Sequence, residues 1–223
     1  CPGGIHPNAG GVGYYRFTLG AHEWDALRGS FATMPETGVL TALDSAIAAF
    51  EAGELDAVRL LDILDAGAEQ SGNQAANLAL DYYGDLLERV KGTPAEAAAQ
   101  ARAGAVVAKI RSVLEADGGD AEMSARLDRF AAIKLNDEEV RVRLMASAET
   151  YLDTQTGLSS DEYFPALSVA LADGGPEMMD RVLMATDEID DPVFDQSVVN
   201  ALGTVKAAEG SARVLTLIES AEL

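Results

Sequence analysis

The chain has 223 residues, a length that suits one large domain or one and a half. Sixteen Lys and Arg against thirty-seven Asp and Glu leave a net charge of −21, which argues against nucleic acid or an anionic membrane as partner, since both repel a polyanion. Apolar residues make up 48%, too many for an acidic disordered tail, so a folded, soluble protein is predicted; the single cysteine excludes an intrachain disulfide framework and a multi-thiolate zinc site.

The chain opens on Cys1-Pro2-Gly3-Gly4, without the basic stretch and apolar stretch of a signal peptide and without an initiator Met, so the natural N-terminus is expected further upstream. Residues 1–20 carry six glycines, two prolines and the β-prone run Tyr14-Tyr15-Arg16-Phe17-Thr18, which predicts a turn followed by one strand. A lone strand leaves its backbone donors and acceptors unpaired, so its partners are expected outside this chain.

From Ala21 onward the pattern is helical, with apolar residues at three- and four-residue intervals and glycines between the periodic stretches. After Pro35, Val39, Leu40, Leu43, Ile47 and Phe50 form one inward stripe that ends at Gly53. Leu55, Val58, Leu61 and Leu64 mark the next helix, and residues 73–90 a third with Leu78, Leu86, Leu87 and Val90 inward. Thr93-Pro94-Ala95-Glu96 predicts a capping box opening a helix that reaches Glu115. Gly118-Gly119-Asp120 opens a helix carrying Leu127 and Phe130, and Asn136 with Glu139 predicts a second capping box before Val140, Leu144 and Tyr151. Further helices are expected over residues 165–172, 176–187, 192–204 and 211–220. Connections of this shortness predict a mainly α fold of stacked antiparallel helix pairs, an α-superhelix preceded by a short β segment.

No catalytic constellation emerges from the residues. His22-Glu23-Trp24-Asp25-Ala26 begins like the zinc motif H-E-x-x-H, but Ala26 occupies the place of the second histidine, so the segment is taken as a helix start with Trp24 and Leu27 inward. Cys1, His6 and His22 have no recognised ligand spacing. The glycines around Asn8 to Gly13 lead into a strand-like run rather than a helix, which makes them a turn and not a phosphate cradle. Acidic clusters at residues 117–122, 136–139 and 187–191 lack the alternation of a calcium loop and fit solvated helix ends. Serine-nucleophile signatures are absent, and among 37 acidic residues coincidental carboxylate pairs are certain.

The run Pro7-Asn8-Ala9-Gly10-Gly11-Val12-Gly13-Tyr14-Tyr15-Arg16-Phe17 resembles the junction "P-N-x-x-x-x-G-Y-Y-R" that closes a β-sandwich in zinc aminopeptidases of the aminopeptidase N and endoplasmic-reticulum aminopeptidase family. Trp24 and Leu27, Leu43-Asp44-Ser45, Phe50-Glu51-Ala52-Gly53, Asp191-Pro192-Val193-Phe194 and Ala201-Leu202-Gly203 are similar to that family's C-terminal helices. The resemblance spans essentially the whole chain. It implies that residues 1–20 are the end of a preceding β-sandwich domain, or a linker with one strand. Residues 21–223 would be the helical C-terminal domain, expected to be truncated near Ser220-Ala221-Glu222-Leu223.

On this resemblance the chain is a non-catalytic cap on the active-site chamber of an enzyme that removes N-terminal residues from peptides. Catalytic residues, metal ligands and cofactor-binding residues are then expected to be absent from this chain. Zinc belongs to the absent catalytic domain, and Cys1, placed inside a longer chain, is no lipidation site. The expected partners are the catalytic and β-sandwich domains of the same parent and the peptide substrate. Asn8, Gly13, Tyr14, Tyr15 and Arg16 become a structural junction, with Arg16 an ion-pair or carbonyl anchor rather than a substrate ligand. Tyr82, Tyr83, Asp65 and Glu69 are candidate peptide-facing residues, with core packing expected for at least one of the tyrosines. The charge of −21 would draw in the ammonium group and basic side chains of peptides. The rival expectation is a free-standing HEAT-like module that binds proteins. Compartment, cytoplasmic or periplasmic, is left open.

Overall fold

The computed structural model describes residues 5–8, 13, 15–70, 73–205 and 208–220. Among them there are eleven α-helices and no strand. The expected β segment is therefore corrected: residues 15–20 run without regular structure, and Tyr14 lies outside the described residues. The physical reason is the absence of a partner strand. Side chains take over instead, with Asn8 Nδ2 donating to the Tyr15 carbonyl at 3.4 Å and the Phe17 N–H facing Ser45 Oγ at 3.5 Å.

The chain divides into two compact units, Cys1–Gly119 and Asp120–Leu223. The first holds α1 (Ala21–Arg28), a 3-10 turn (Phe31–Thr33), α2 (Glu36–Glu51), α3 (Ala57–Ala68), α4 (Asn73–Val90) and α5 (Glu96–Ala116). Helix α3 packs on α2, α4 on α3 and α5 on α4, while α4 also reaches α2, and α3 also reaches α1 and α5. As the H-E-W-D-A segment predicts, α1 buries Trp24 and Leu27. Helix α2 ends in a Schellman motif: Gly53 takes a left-handed φ of 76°, its N–H bonds the Phe50 carbonyl, and the Glu54 N–H reaches back to Ala49 at 2.8 Å. Gly118 and Gly119 end α5 in the same way, with φ of 94° at Gly118 and the Gly119 N–H on Leu114.

The second unit holds α6 (Ala121–Lys134), α7 (Glu138–Thr154), α8 (Ser160–Asp173), α9 (Gly175–Glu188), α10 (Pro192–Leu202) and α11 (Ala208–Ser220). Helix α8 is its hub, packed by α6, α7, α9 and α10. The rings of Tyr151, Tyr163 and Phe194 meet on it with centroids 5.0 to 5.7 Å apart, and the Tyr151 and Tyr163 hydroxyls share a 2.7 Å hydrogen bond.

Helix starts differ from the expected ones in informative places. Thr93 is not a cap: its hydroxyl donates to the Val90 carbonyl, Glu96 turns back to accept from the Gly92 N–H, and α5 begins only at Glu96. Asn136 takes a left-handed φ of 54°, and its neighbour Asp137 caps α7 by accepting from Val140. A carboxylate there adds charge to the cap. Helix α8 begins well before the expected 165 because the Ser159 N–H and hydroxyl both donate to Glu162 Oε2, which leaves Pro165 inside the first two turns. The acidic clusters do mark helix ends, since Asp120 and Asp191, like Asp137, are the capping residues of the helices that follow them.

Candidate functional site

The junction segment docks on α2. Asn8, only 4% exposed, donates to the Gly13 carbonyl at 2.8 Å and accepts from its N–H at 2.9 Å, closing the turn with one side chain. A Cβ at position 13 would lie 2.4 Å from the Tyr15 ring, so a side chain there requires that ring to shift. The Tyr15 hydroxyl donates to the Pro7 carbonyl. Arg16 forms a bidentate pair with Asp44 of α2 at 2.8 and 2.9 Å, and Phe17 stacks on Trp24 with ring centroids 5.6 Å apart. His6 Nε2 meets the Gly38 carbonyl at 3.0 Å. Two separate stretches picked out in the sequence, Asn8 to Phe17 and Leu43-Asp44-Ser45, are thus in contact with each other.

The four candidate peptide-facing residues divide between two places. Tyr83, Asp65 and Glu69 belong to a polar network that ties α3, α4 and α5 together. Tyr83 is buried, and its hydroxyl donates to Asp65. Arg102 of α5 completes the arrangement, giving its Nε to Asp65 and to the Tyr83 oxygen and its Nη2 to Asp62 and Asp65 at 2.6 and 2.7 Å. Burial, then the hydrogen bond to Asp65, holds the Tyr83 phenol well above its ordinary pKa. Glu69 pairs with Lys109 at the edge of this network, and Arg28 joins Asp62 at 3.3 Å.

Tyr82, one position away and so turned by about 100° around α4, lines a different feature. It borders a cavity of about 340 Å³ between α2, α3 and α4. Ile47, Phe50, Leu60, Leu61, Leu78 and Leu86 make its apolar walls. Glu51, Asp81, Asp85 and Arg89 stand exposed around it. Burial raises the Tyr82 phenol, with the Arg89 charge opposing and those of Glu51 and Asp85 adding.

Sequence reasoning missed Arg102 and the groove. A basic residue on a long alanine-rich helix gave no hint of three acceptors on other helices. The groove had a signal: Leu78, Asp81, Tyr82, Asp85, Leu86 and Arg89 recur at helical spacing and mix apolar with acidic residues along one side of α4. Ile47 and Phe50, taken as core, are only half-buried.

Among the described residues no group of three or more His, Cys, Asp and Glu converges as a metal ion requires, and Cys1 lies outside them. No helix among the described residues is long and apolar enough to cross a membrane.

No curated protein matches the chain. A family model does match, described as "ERAP1-like C-terminal domain", over residues 5–223. That span includes the junction segment, the groove and every helix of both units, and the chain belongs to the ERAP1-like C-terminal domain family.

Proposed function

We propose that this chain is the non-catalytic C-terminal domain of a zinc metalloaminopeptidase, stacked as HEAT-like antiparallel helix pairs, and that it caps the active-site chamber and helps to bind or size-select the peptide. The observation that carries this reading is the family match over residues 5–223. The net charge of −21 supports it, since an acidic wall concentrates substrates that all carry a free ammonium group. So does the apolar groove beside Tyr82, which offers side-chain contacts away from any reaction centre. Its partners are then the catalytic and β-sandwich domains of the same parent chain, and zinc is held there by residues this chain does not contribute.

The test has two arms. The 223-residue chain alone is expected to hold no stoichiometric zinc and to leave aminoacyl-anilides intact; turnover with bound metal overturns the reading. In the parent enzyme, removing this domain is expected to change the dependence of peptide trimming on peptide length far more than anilide hydrolysis. An unchanged length profile overturns the capping role. A gene lacking H-E-x-x-H with a downstream Glu ahead of residue 1 overturns the aminopeptidase assignment.

A further inference from the structure

We infer that the groove between α2, α3 and α4 binds a free apolar α-amino acid such as leucine, with its side chain in the slot, its ammonium group on Glu51 and Asp85 and its carboxylate on Arg89. Removal of N-terminal residues releases molecules of this kind, but the site needs no peptidase to fill it.

Size and walls set the side chain. A volume of about 340 Å³ is at the lower end for small-molecule pockets, which suits a ligand of few atoms. Ile47, Phe50, Leu61, Leu78 and Leu86 stay half-buried around it, so apolar surface is left for a ligand to cover. Charge then selects the head group. Glu51, Asp85 and Arg89 are exposed at the rim, and their side chains enter no hydrogen bond or ion pair among the described residues. Asp81, beside them, is already engaged within the protein. Asp85 and Arg89 lie one turn apart on α4, with about 5–6 Å between Cβ atoms, yet do not close on each other. The Tyr82 phenol feels the charges of Glu51, Asp85 and Arg89, so all three stand around one point of the rim. A purely cationic ligand would confront Arg89, and a purely anionic one would confront the two carboxylates. A molecule with both charges on one carbon meets an opposite charge with each. A residue inside a peptide chain carries neither.

The experiment is calorimetric titration of the 223-residue chain with L-leucine, leucinamide, N-acetylleucine and L-serine. Leucine is expected to bind with a dissociation constant below about 1 mM. Serine, which lacks the apolar side chain, should bind about tenfold or more weaker. Leucinamide lacks the carboxylate and N-acetylleucine the ammonium; each should bind about fivefold weaker than leucine at low salt, with the margin shrinking as salt rises. Arg89→Gln should erase the preference over leucinamide. Glu51→Gln with Asp85→Asn should erase the preference over N-acetylleucine, and circular dichroism checks that each variant is folded. The site is overturned if leucine fails to bind at about 10 mM, if its two blocked forms bind equally well, or if the folded variants keep the parent's preferences. If leucine binds as expected and domain removal leaves trimming by the parent enzyme unchanged, the site stands and the chamber role falls. A changed length profile with no leucine binding has the reverse meaning.

Discussion

Helices α4 and α8 each occupy the middle of their unit, and they use that position in opposite ways. Helix α8 buries Pro165 through Leu171, seven residues in succession, which is nearly two full turns. Every side of it is therefore covered, and α6, α7, α9 and α10 gather around it. Helix α4 buries Ala75, Ala76, Ala79, Leu80, Tyr83, Gly84 and Leu87, a single stripe. Its other flank carries Asp81, Asp85 and Arg89 beside half-buried leucines and leaves a groove. A helix apolar on all sides becomes a hub and spends its surface on stability. A helix with one acidic flank holds its neighbours from one side and leaves the other open.

If that contrast is right, the aromatic cluster on α8 is the most sensitive point of the molecule. Phe194 is fully buried against Tyr151 and Tyr163. Phe194→Ala is expected to cost about 3–5 kcal/mol, from lost burial plus the cavity left behind. Denaturant unfolding followed by far-UV circular dichroism measures it. A loss smaller than that from the Arg102 substitution described next would break the comparison.

In the first unit Arg102 ties three helices together through Asp62, Asp65 and Tyr83. Arg102→Leu leaves Asp62 and Asp65 close together without their shared cation. The expected loss is about 1–2 kcal/mol, below that of a fully buried pair because part of the network reaches water. Adding Tyr83→Phe to Arg102→Leu should cost less than the sum of the two single changes, since both act on Asp65. Strict additivity would show that the three groups do not act as a unit.

Each unit also contains one tyrosine whose pKa is raised by burial first and by hydrogen bonding second: Tyr83, bonded to Asp65, and Tyr163, bonded to Tyr151 and Asp191. The fold favours the neutral phenol in both. Their contribution is complete below the unfolded value of about 10 and is lost as pH climbs from there through the folded values. Stability should thus be insensitive to these groups at neutral pH and fall above about pH 10. Tyr83→Phe and Tyr163→Phe are each expected to flatten part of that decline. Phenolate absorbance that rises fully before the fold is lost would contradict both assignments.

Most of the helices could be placed from sequence because their signals are local: Asp120 opens α6, Gly53 and Gly118 are stops, and Trp24 and Leu27 share one face of α1, whereas α7 is capped by Asp137 and not by the expected Asn136. Errors arose where two local signals competed. Thr93 and Pro94 imitate a helix start, yet the Thr93 hydroxyl bonds back to Val90 and holds a turn instead. Pro165 suggests a first turn, yet the Ser159 and Glu162 pairing starts the helix earlier. The groove and the Arg102 network were harder to see because they depend on which faces of α2 to α5 meet. Periodicity marks Ile47 and Phe50 as apolar-face residues, but only the packing of α3 and α4 leaves them at an opening. The expected strand failed for the reason that made it doubtful as an isolated element, since nothing among the described residues pairs with it.

The smallest expected effects lie in the junction, and they rank its contacts. Arg16 and Asp44 are 63% and 50% exposed, so water competes for both partners of the ion pair. Arg16→Ala should leave the unfolding midpoint unchanged and speed hydrogen exchange only modestly at the Arg16 to Thr18 amides. Asn8 is buried and both donates to and accepts from Gly13, so Asn8→Ala removes two partners at once from a turn that has no strand to support it. Exchange at Gly13, Tyr15 and Phe17 should then accelerate more than in the Arg16 variant. The opposite ranking would mean that the segment is held mainly by its charge on α2, and that the Asn8 turn follows from docking instead of directing it.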